Sequence, residues 1–188
     1  MAFVVRRARP ADAAGIAAVH VETWRDAYRG VVAADALAAL DVHDRTAHWR
    51  DVLGAGRAHT LVAVAHDERD DGGDDDVVFG FASFGPTRDA DMAGAGELYQ
   101  IYVSSTRWRA GAGSSLLAEA VDALAALDFA EAALWVLVDN PRARAFYEAH
   151  GWRSDDRDAG LRGVTVGPAT GLVEMRDRRA LGGAPKSA

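Results

Sequence analysis

The sequence contains no cysteine, which excludes a thiolate nucleophile, a disulfide framework and any zinc site built on cysteine ligands. Lysine is nearly as scarce, since the single one, Lys186, stands in the C-terminal stretch "GGAPKSA". Neither a P-loop lysine nor a Schiff-base lysine is therefore available within the folded part of the chain. Histidines 20, 43, 48, 59, 66 and 150 form no His-Glu-x-x-His or other close ligand pair, so no metal is expected. Also missing is an apolar run of about 20 residues, the length a membrane-spanning helix needs. The start "MAFVVRRARPAD" lacks the order of basic segment, apolar core and cleavage site of a secretory leader. A cytoplasmic location without a membrane partner is the expectation.

What is present fits a globular chain of 188 residues, with 49% hydrophobic and 26% charged residues and no Pro/Gly/Ser-rich linker that would divide it. One domain is expected over residues 1–178, followed by a frayed tail over 179–188. The net charge of −7 argues against a nucleic-acid backbone as partner and favours a cationic small molecule.

Along the chain, "FVVRRA" alternates like a strand, and Pro10 with Asp12 opens an apolar-periodic helix through Ile16, Val19 and Trp24. Asp35 suits the cap of a short "ALAAL" helix and Asp44 the cap of "RTAHWRDVL". "HTLVAVA" and "VVFGFASFG" read as strands joined by "HDERDDGGDDD", a charge run expected as a solvated hairpin loop. The pattern then switches. "GELYQIYV" is a strand, "SSTRWRAGAG" a loop, Ser114 to Leu127 a helix, and "AALWVLV" a short apolar strand of the doubly buried kind. The helix aligns Leu116, Leu117, Ala120, Val121, Leu124 and Leu127 on one face, as a β-α-β crossover requires. In "NPRARAFYEAHG", Asn140 suits an N-cap, Pro141 the first helical position and Gly151 the stop; a last strand is expected over Thr170 to Arg176.

Gly111 and Gly113 stand at the head of the amphipathic helix. Amides there, beside the positive end of the helix dipole, favour a phosphate or pyrophosphate, and a plain tight turn explains the same two glycines. The pattern is not a Rossmann fingerprint, because no third glycine and no ribose-binding acid follow, and it lacks the lysine of a Walker A motif.

The order strand, glycine loop, helix, strand and "VDNPRARAFYEAHGW" resembles the GNAT superfamily of N-acetyltransferases, from Phe3 to about Arg176. Its pattern Gln/Arg-x-x-Gly-x-Gly/Ala is matched at Gly111 and Gly113, with Trp108 where the family usually has Gln or Arg. The resemblance implies an α/β fold with a mixed, mostly antiparallel sheet of six to seven strands, a splayed parallel pair and helices on both faces. It implies acetyl-CoA as cofactor, with the pyrophosphate on the amides of Trp108, Arg109, Ala110, Gly111, Ala112, Gly113 and Ser114. The pantetheine would run beside Ile101, Tyr102 and Val103 like an added strand, with a main-chain amide holding the developing oxyanion. By the same resemblance Tyr147 protonates the leaving thiolate, Asn140 contacts the coenzyme besides capping its helix, and Glu97 is the general base. The implied reaction is direct transfer of an acetyl group to a primary amine in a ternary complex, without a covalent enzyme intermediate.

The acceptor is less legible. The resemblance places it between "HVETWRDAYRGVVAADAL" and "GPTRDADMAGAG". Glu22, Trp24 and Tyr28 could meet a cation with an aromatic wall, yet Trp24 and Tyr28 are four apart and equally suit a buried helix face. Two further readings stay open, an acyl-CoA-binding sensor without turnover and an acetyltransferase of protein N-termini or lysines. The family resemblance is compatible with a homodimer.

Overall fold

A computed structural model describes residues 2–30, 34–56, 58–66, 76–155, 160–166 and 169–182. The helices are α1 (Ala13–Ala27), α2 (Ala34–Ala38), α3 (Val42–Ala55), α4 (Ala112–Ala126) and α5 (Pro141–Ala149). The strands are β1 (Val4–Arg7), β2 (His59–His66), β3 (Asp76–Pro86), β4 (Gly96–Val103), β5 (Glu131–Leu137), β6 (Arg153–Ser154), β7 (Leu161–Val166) and β8 (Ala169–Ala180). Their order is β1-β2-β3-β4-β5-β8-β6, with β7 on β8. That makes eight strands among the described residues, more than the six to seven expected, because β6 has two residues and β7 carries no alternating apolar pattern. The β1/β2, β5/β8, β6/β8 and β7/β8 pairs are antiparallel, and β4/β5 is parallel. The parallel register joins Gly96 to Ala132, Glu97 to Ala133 and Leu98 to Leu134, whereas β4 continues to Val103. No helix among the described residues is long and apolar enough to cross a membrane.

The chain divides into two compact units, one of residues 1–83 with 101–118 and one of 84–100 with 119–188. In the first, α1 turns Ala13, Ile16 and Ala17 to one side by its i, i+3, i+4 spacing, where they join Val19, Trp49, Val62, Val64 and Phe81 in a core. Trp49 and Phe81 meet edge to face, with ring centroids 5.0 Å apart. Asp41, not Asp44, caps α3: its extended backbone lets Oδ1 accept the Asp44 N–H at 3.0 Å, and Asp44 is the third helical residue. Asp35 likewise lies inside the first turn of α2 rather than before it. Of the expected hairpin loop "HDERDDGGDDD", only His66, ending β2, and Asp76, opening β3, are among the described residues.

In the second unit, β5 buries Ala132, Ala133, Leu134 and Val136. Gly96 opens β4 close against α4, since a Cβ there would fall 2.8 Å from Leu124 Cδ2. Ala120, Val121 and Leu124 are buried as expected, as are Leu116 and Leu117 of the first unit, but Leu127 is 43% exposed because α4 has already ended at Ala126. β8 runs four residues beyond the expected Arg176: Arg179 pairs with Ala132 and Ala180 with Glu131. Leu181 then donates its N–H to Ala130 O at 2.9 Å and is buried, so the ordered chain passes the boundary expected at 178. Residues 183–188 lie outside the described ones.

Candidate functional site

The glycine loop belongs to the first unit. After a single turn over Ser105–Arg107, Arg109 and Gly111 both take left-handed backbones, with φ of +64° and +87°. Gly111 needs its missing side chain for that conformation and not for room, because a Cβ there would meet no atom within 4 Å. α4 starts at Ala112, two residues before the expected Ser114, so Gly113 lies in its first turn. The first helical bond runs from Ser115 N–H to Gly111 O at 3.0 Å, and the amides of Ala112 and Gly113 precede it. The outcome is an exposed helix start at Gly111, whose first amides carry the positive end of the dipole.

Ile101, Tyr102 and Val103 are half-buried on β4. Tyr102 is held by its side chain: its hydroxyl accepts Trp24 Nε1–H at 3.0 Å and its ring stacks on His20, 5.3 Å between centroids. Trp24 also lies 5.1 Å from the Tyr28 ring, so the two form part of a packed aromatic row. Glu22 accepts from Ser104 Oγ at 2.7 Å. His20 sits deep in this row, its Nδ1 3.4 Å from the donor-only Trp49 Nε1, while its Nε2 is buried with no hydrogen-bond partner. Burial first, then the charges of Arg45 and His48, lower the His20 pKa to about 4, which keeps the imidazole neutral.

Glu97, Asn140 and Tyr147 lie in the second unit. Glu97 is 1% exposed, and both its oxygens are engaged by Arg88. The Arg88 main-chain N–H donates to Oε2 at 2.8 Å, Nε to Oε1 at 3.2 Å, and Nη2 forms the ion pair with Oε1. The Arg88 side chain is itself 61% exposed and stacks 4.4 Å over the Tyr99 ring. The rest of the segment that follows β3 is pinned as firmly. Asp89 accepts Trp135 Nε1–H at 2.9 Å, and fully buried Arg176 of β8 bridges Asp89 (3.2 Å), Asp91 (2.7 Å) and Asp155 (2.7 Å). The Asp91 hydrogen bond, with those of Asp89 and Asp155, overcomes burial and holds the guanidinium charged well above its ordinary pKa. Asn140 caps α5, its Oδ1 accepting Ala143 N–H at 3.1 Å. Tyr147 is buried on α5, its ring 5.4 Å from Phe146 and 6.4 Å from Trp152. Arg88, Arg176 and Trp135 escaped the sequence reading, since a long-range ion pair leaves no periodic signal; opposite charges at 88 and 97, flanking a turn, were the one available hint. Asp41, His43 and Asp44 also approach within 4.8 Å of one another, but they are fully solvent-facing and Asp41 is engaged as the cap of α3.

The model of the acetyltransferase (GNAT) family matches residues 19–152. The chain belongs to the GNAT acetyltransferase family. A relative from Bacillus subtilis (strain 168), the uncharacterized N-acetyltransferase YuaI, is 38% identical over 146 residues, 78% of each chain. Among solved GNAT-like folds, the PaiA N-acetyltransferase of Thermoplasma acidophilum, in complex with coenzyme A, aligns with a TM-score of 0.70 at 17% identity, covering 96% of this chain and 99% of that one. YncA of Salmonella typhimurium, with its cofactor acetyl-CoA, aligns with a TM-score of 0.64 at 21% identity over all of both chains. In this GNAT chain the departure at Trp108 has a visible use: the indole, 44% exposed, folds back and donates Nε1–H to Val103 O at 2.8 Å. Trp108 thereby ties the glycine loop to the last residue of β4.

Proposed function

We propose that this GNAT protein is an N-acetyltransferase that moves the acetyl group of acetyl-CoA directly to a primary amine of a small molecule or peptide. The observation that carries the reading is the left-handed pair Arg109 and Gly111 leading into α4, at the family's glycine motif. Open space around Gly111 and first-turn amides beside it suit a diphosphate. In this reading the amides of residues 108–114 hold the pyrophosphate, the main chain of Ile101, Tyr102 and Val103 holds the pantetheine, and one of those amides steadies the oxyanion. The Tyr147 hydroxyl serves the leaving thiolate, and Asn140 adds a polar contact from its cap position. Glu97 takes the proton of the acceptor. An arriving ammonium would replace the solvent-facing Arg88 guanidinium as the cation on that carboxylate, which gives a cationic amine a reason to bind there. Glu22, Trp24 and Tyr28 border the acceptor, and the chain as far as Leu181 works as one catalytic domain in the cytoplasm.

One observation favours a second reading. Arg88 already engages both Glu97 oxygens, as suits a protein that binds acyl-CoA as a sensor without turnover. Acetyl-CoA at 100 times its dissociation constant should stabilise the protein by about 2.7 kcal/mol and raise its melting temperature by about 5 to 10 °C. Thiol release would then be followed across polyamines, amino acids, aminoglycosides and peptides. A thermal shift with release, lost in Tyr147→Phe while the shift is kept, supports the enzyme. A shift without release from any amine supports the sensor, release with peptides alone identifies a peptide acetyltransferase, and no shift overturns the coenzyme reading.

A further inference from the structure

The second unit carries an open depression of about 370 Å³ between the outer side of α5 and strands β6 and β8, bordered by Arg144, Glu148, Trp152, Arg153, Ser154 and Asp177. Its volume falls at the low end of natural ligand pockets. None of these residues figures in the acetyl-transfer reading.

Its polar groups are unevenly satisfied. Asp177 is 5% exposed, and Ser154 Oγ, 3.5 Å from Oδ1, gives it a long and weak hydrogen bond. A carboxylate can accept about four hydrogen bonds, so one this buried is under-served. Burial pushes its pKa up; Ser154 and Arg144 oppose that, and Glu148 adds to it. Trp152 borders the depression but is itself 1% exposed, so its indole is closed to solvent. Two guanidinium groups complete the ring. Arg153 Nη1 donates to Glu148 O at 2.9 Å and Trp152 O at 2.8 Å, which fixes the plane of a fork with five donors. Arg144 precedes Glu148 by one helical turn, so the two opposite charges sit on one side of α5.

The depression thus pairs an under-served buried carboxylate with two cations at its border. A simple anion would face Asp177 and Glu148, and a simple cation would face Arg144 and Arg153. We propose that this depression binds a small zwitterion of the α-amino-acid class, its ammonium on Asp177 and Glu148 and its carboxylate toward Arg144 and Arg153. Such a ligand supplies a donor and an acceptor at once and leaves no charge opposite its like.

The test is a thermal-shift and calorimetric series on the full chain with glycine, L-serine, L-glutamine and glycylglycine, beside propionate and propylamine as probes of each half. At least one zwitterion should raise the melting temperature in a saturable way, and neither half-probe should do so at equal concentration. Asp177→Asn, which keeps the shape, should weaken that ligand about tenfold or more, as should Arg144→Gln at the solvent-facing rim. Acetyl-CoA stabilisation, read alongside, should be unchanged in both variants, which keeps this result separate from the coenzyme reading. No shift with any zwitterion, an equal shift with propylamine or propionate, or full affinity in both variants would overturn the proposal.

Discussion

Lowering the pH from 7 toward 4 is expected to destabilise this protein through His20. The ring is 7% exposed, stacked on Tyr102 and set among Trp24, Trp49 and Phe81, and its pKa falls from 6.5 to about 4. A base with a depressed folded pKa is neutral in both states above pH 6.5, so nothing is lost there. Between 6.5 and about 4 the unfolded chain takes up a proton that the folded chain refuses, and stability drops with every pH unit. At about 1.4 kcal/mol per unit the loss reaches about 3 kcal/mol, with about 2 kcal/mol of it present by pH 5. His20→Phe keeps a ring in the row and removes the titration. It also removes the acceptor of Trp49 Nε1, a cost of about 1 kcal/mol that does not depend on pH. Urea unfolding of both proteins at pH 7, 6 and 5, followed by circular dichroism, separates the two effects. The gap between wild type and variant should change by about 2 kcal/mol from pH 7 to pH 5. Curves that stay parallel within about 0.5 kcal/mol would refute the reasoning and assign acid sensitivity to the carboxylates.

Two further outcomes concern the acetyl-transfer site. Gly111→Asp and Gly111→Ala share the backbone strain of a φ of +87°, about 1 kcal/mol, but only Asp adds a carboxylate; calorimetry should show acetyl-CoA affinity lower in Asp than in Ala by on the order of tenfold to a hundredfold. Equal affinity in the two variants would make the glycine a turn and nothing more. Glu97→Gln should lower kcat/KM by about 10² to 10⁴ near neutral pH, with recovery as pH rises toward the pKa of the acceptor amine. A wild-type pH profile in that variant would leave Glu97 as the anchor of Arg88 alone.

Local signals made part of this structure legible in the sequence. β4 begins at Gly96 and ends at Val103 as read, because aromatic and β-branched residues crowd the run and turn residues bound it. α5 starts after Asn140 as read, since cap and proline coincide. Where two residues fit one rule, the reading failed. Asp41 and Asp44 both suit a cap, and the helix takes the earlier one. Gly113 looks like loop by propensity, yet the first helical turn tolerates it, and α4 starts at Ala112. The charged end of β8 concealed the last four residues of that strand, where Arg178 and Arg179 find a carboxylate and a carbonyl. The setting of Glu97 was least legible of all: an exposed strand-end acid and a buried acid clasped by Arg88 are written with the same letter.

Arg176 also bears on the order in which the molecule can be completed during synthesis. Its nearest acids in the turn after β3, Asp89 and Asp91, precede it by 87 and 85 residues. At ribosomal speeds of about 5 to 20 residues per second, that interval lasts roughly 4 to 17 seconds. During it Asp89 and Asp91 stand without the buried guanidinium that later joins them. A nascent chain halted before residue 176 would therefore carry every residue of the glycine loop but lack the guanidinium that joins Asp89 to Asp91, and the last strand made is the one that completes one of the first-written parts of the second unit.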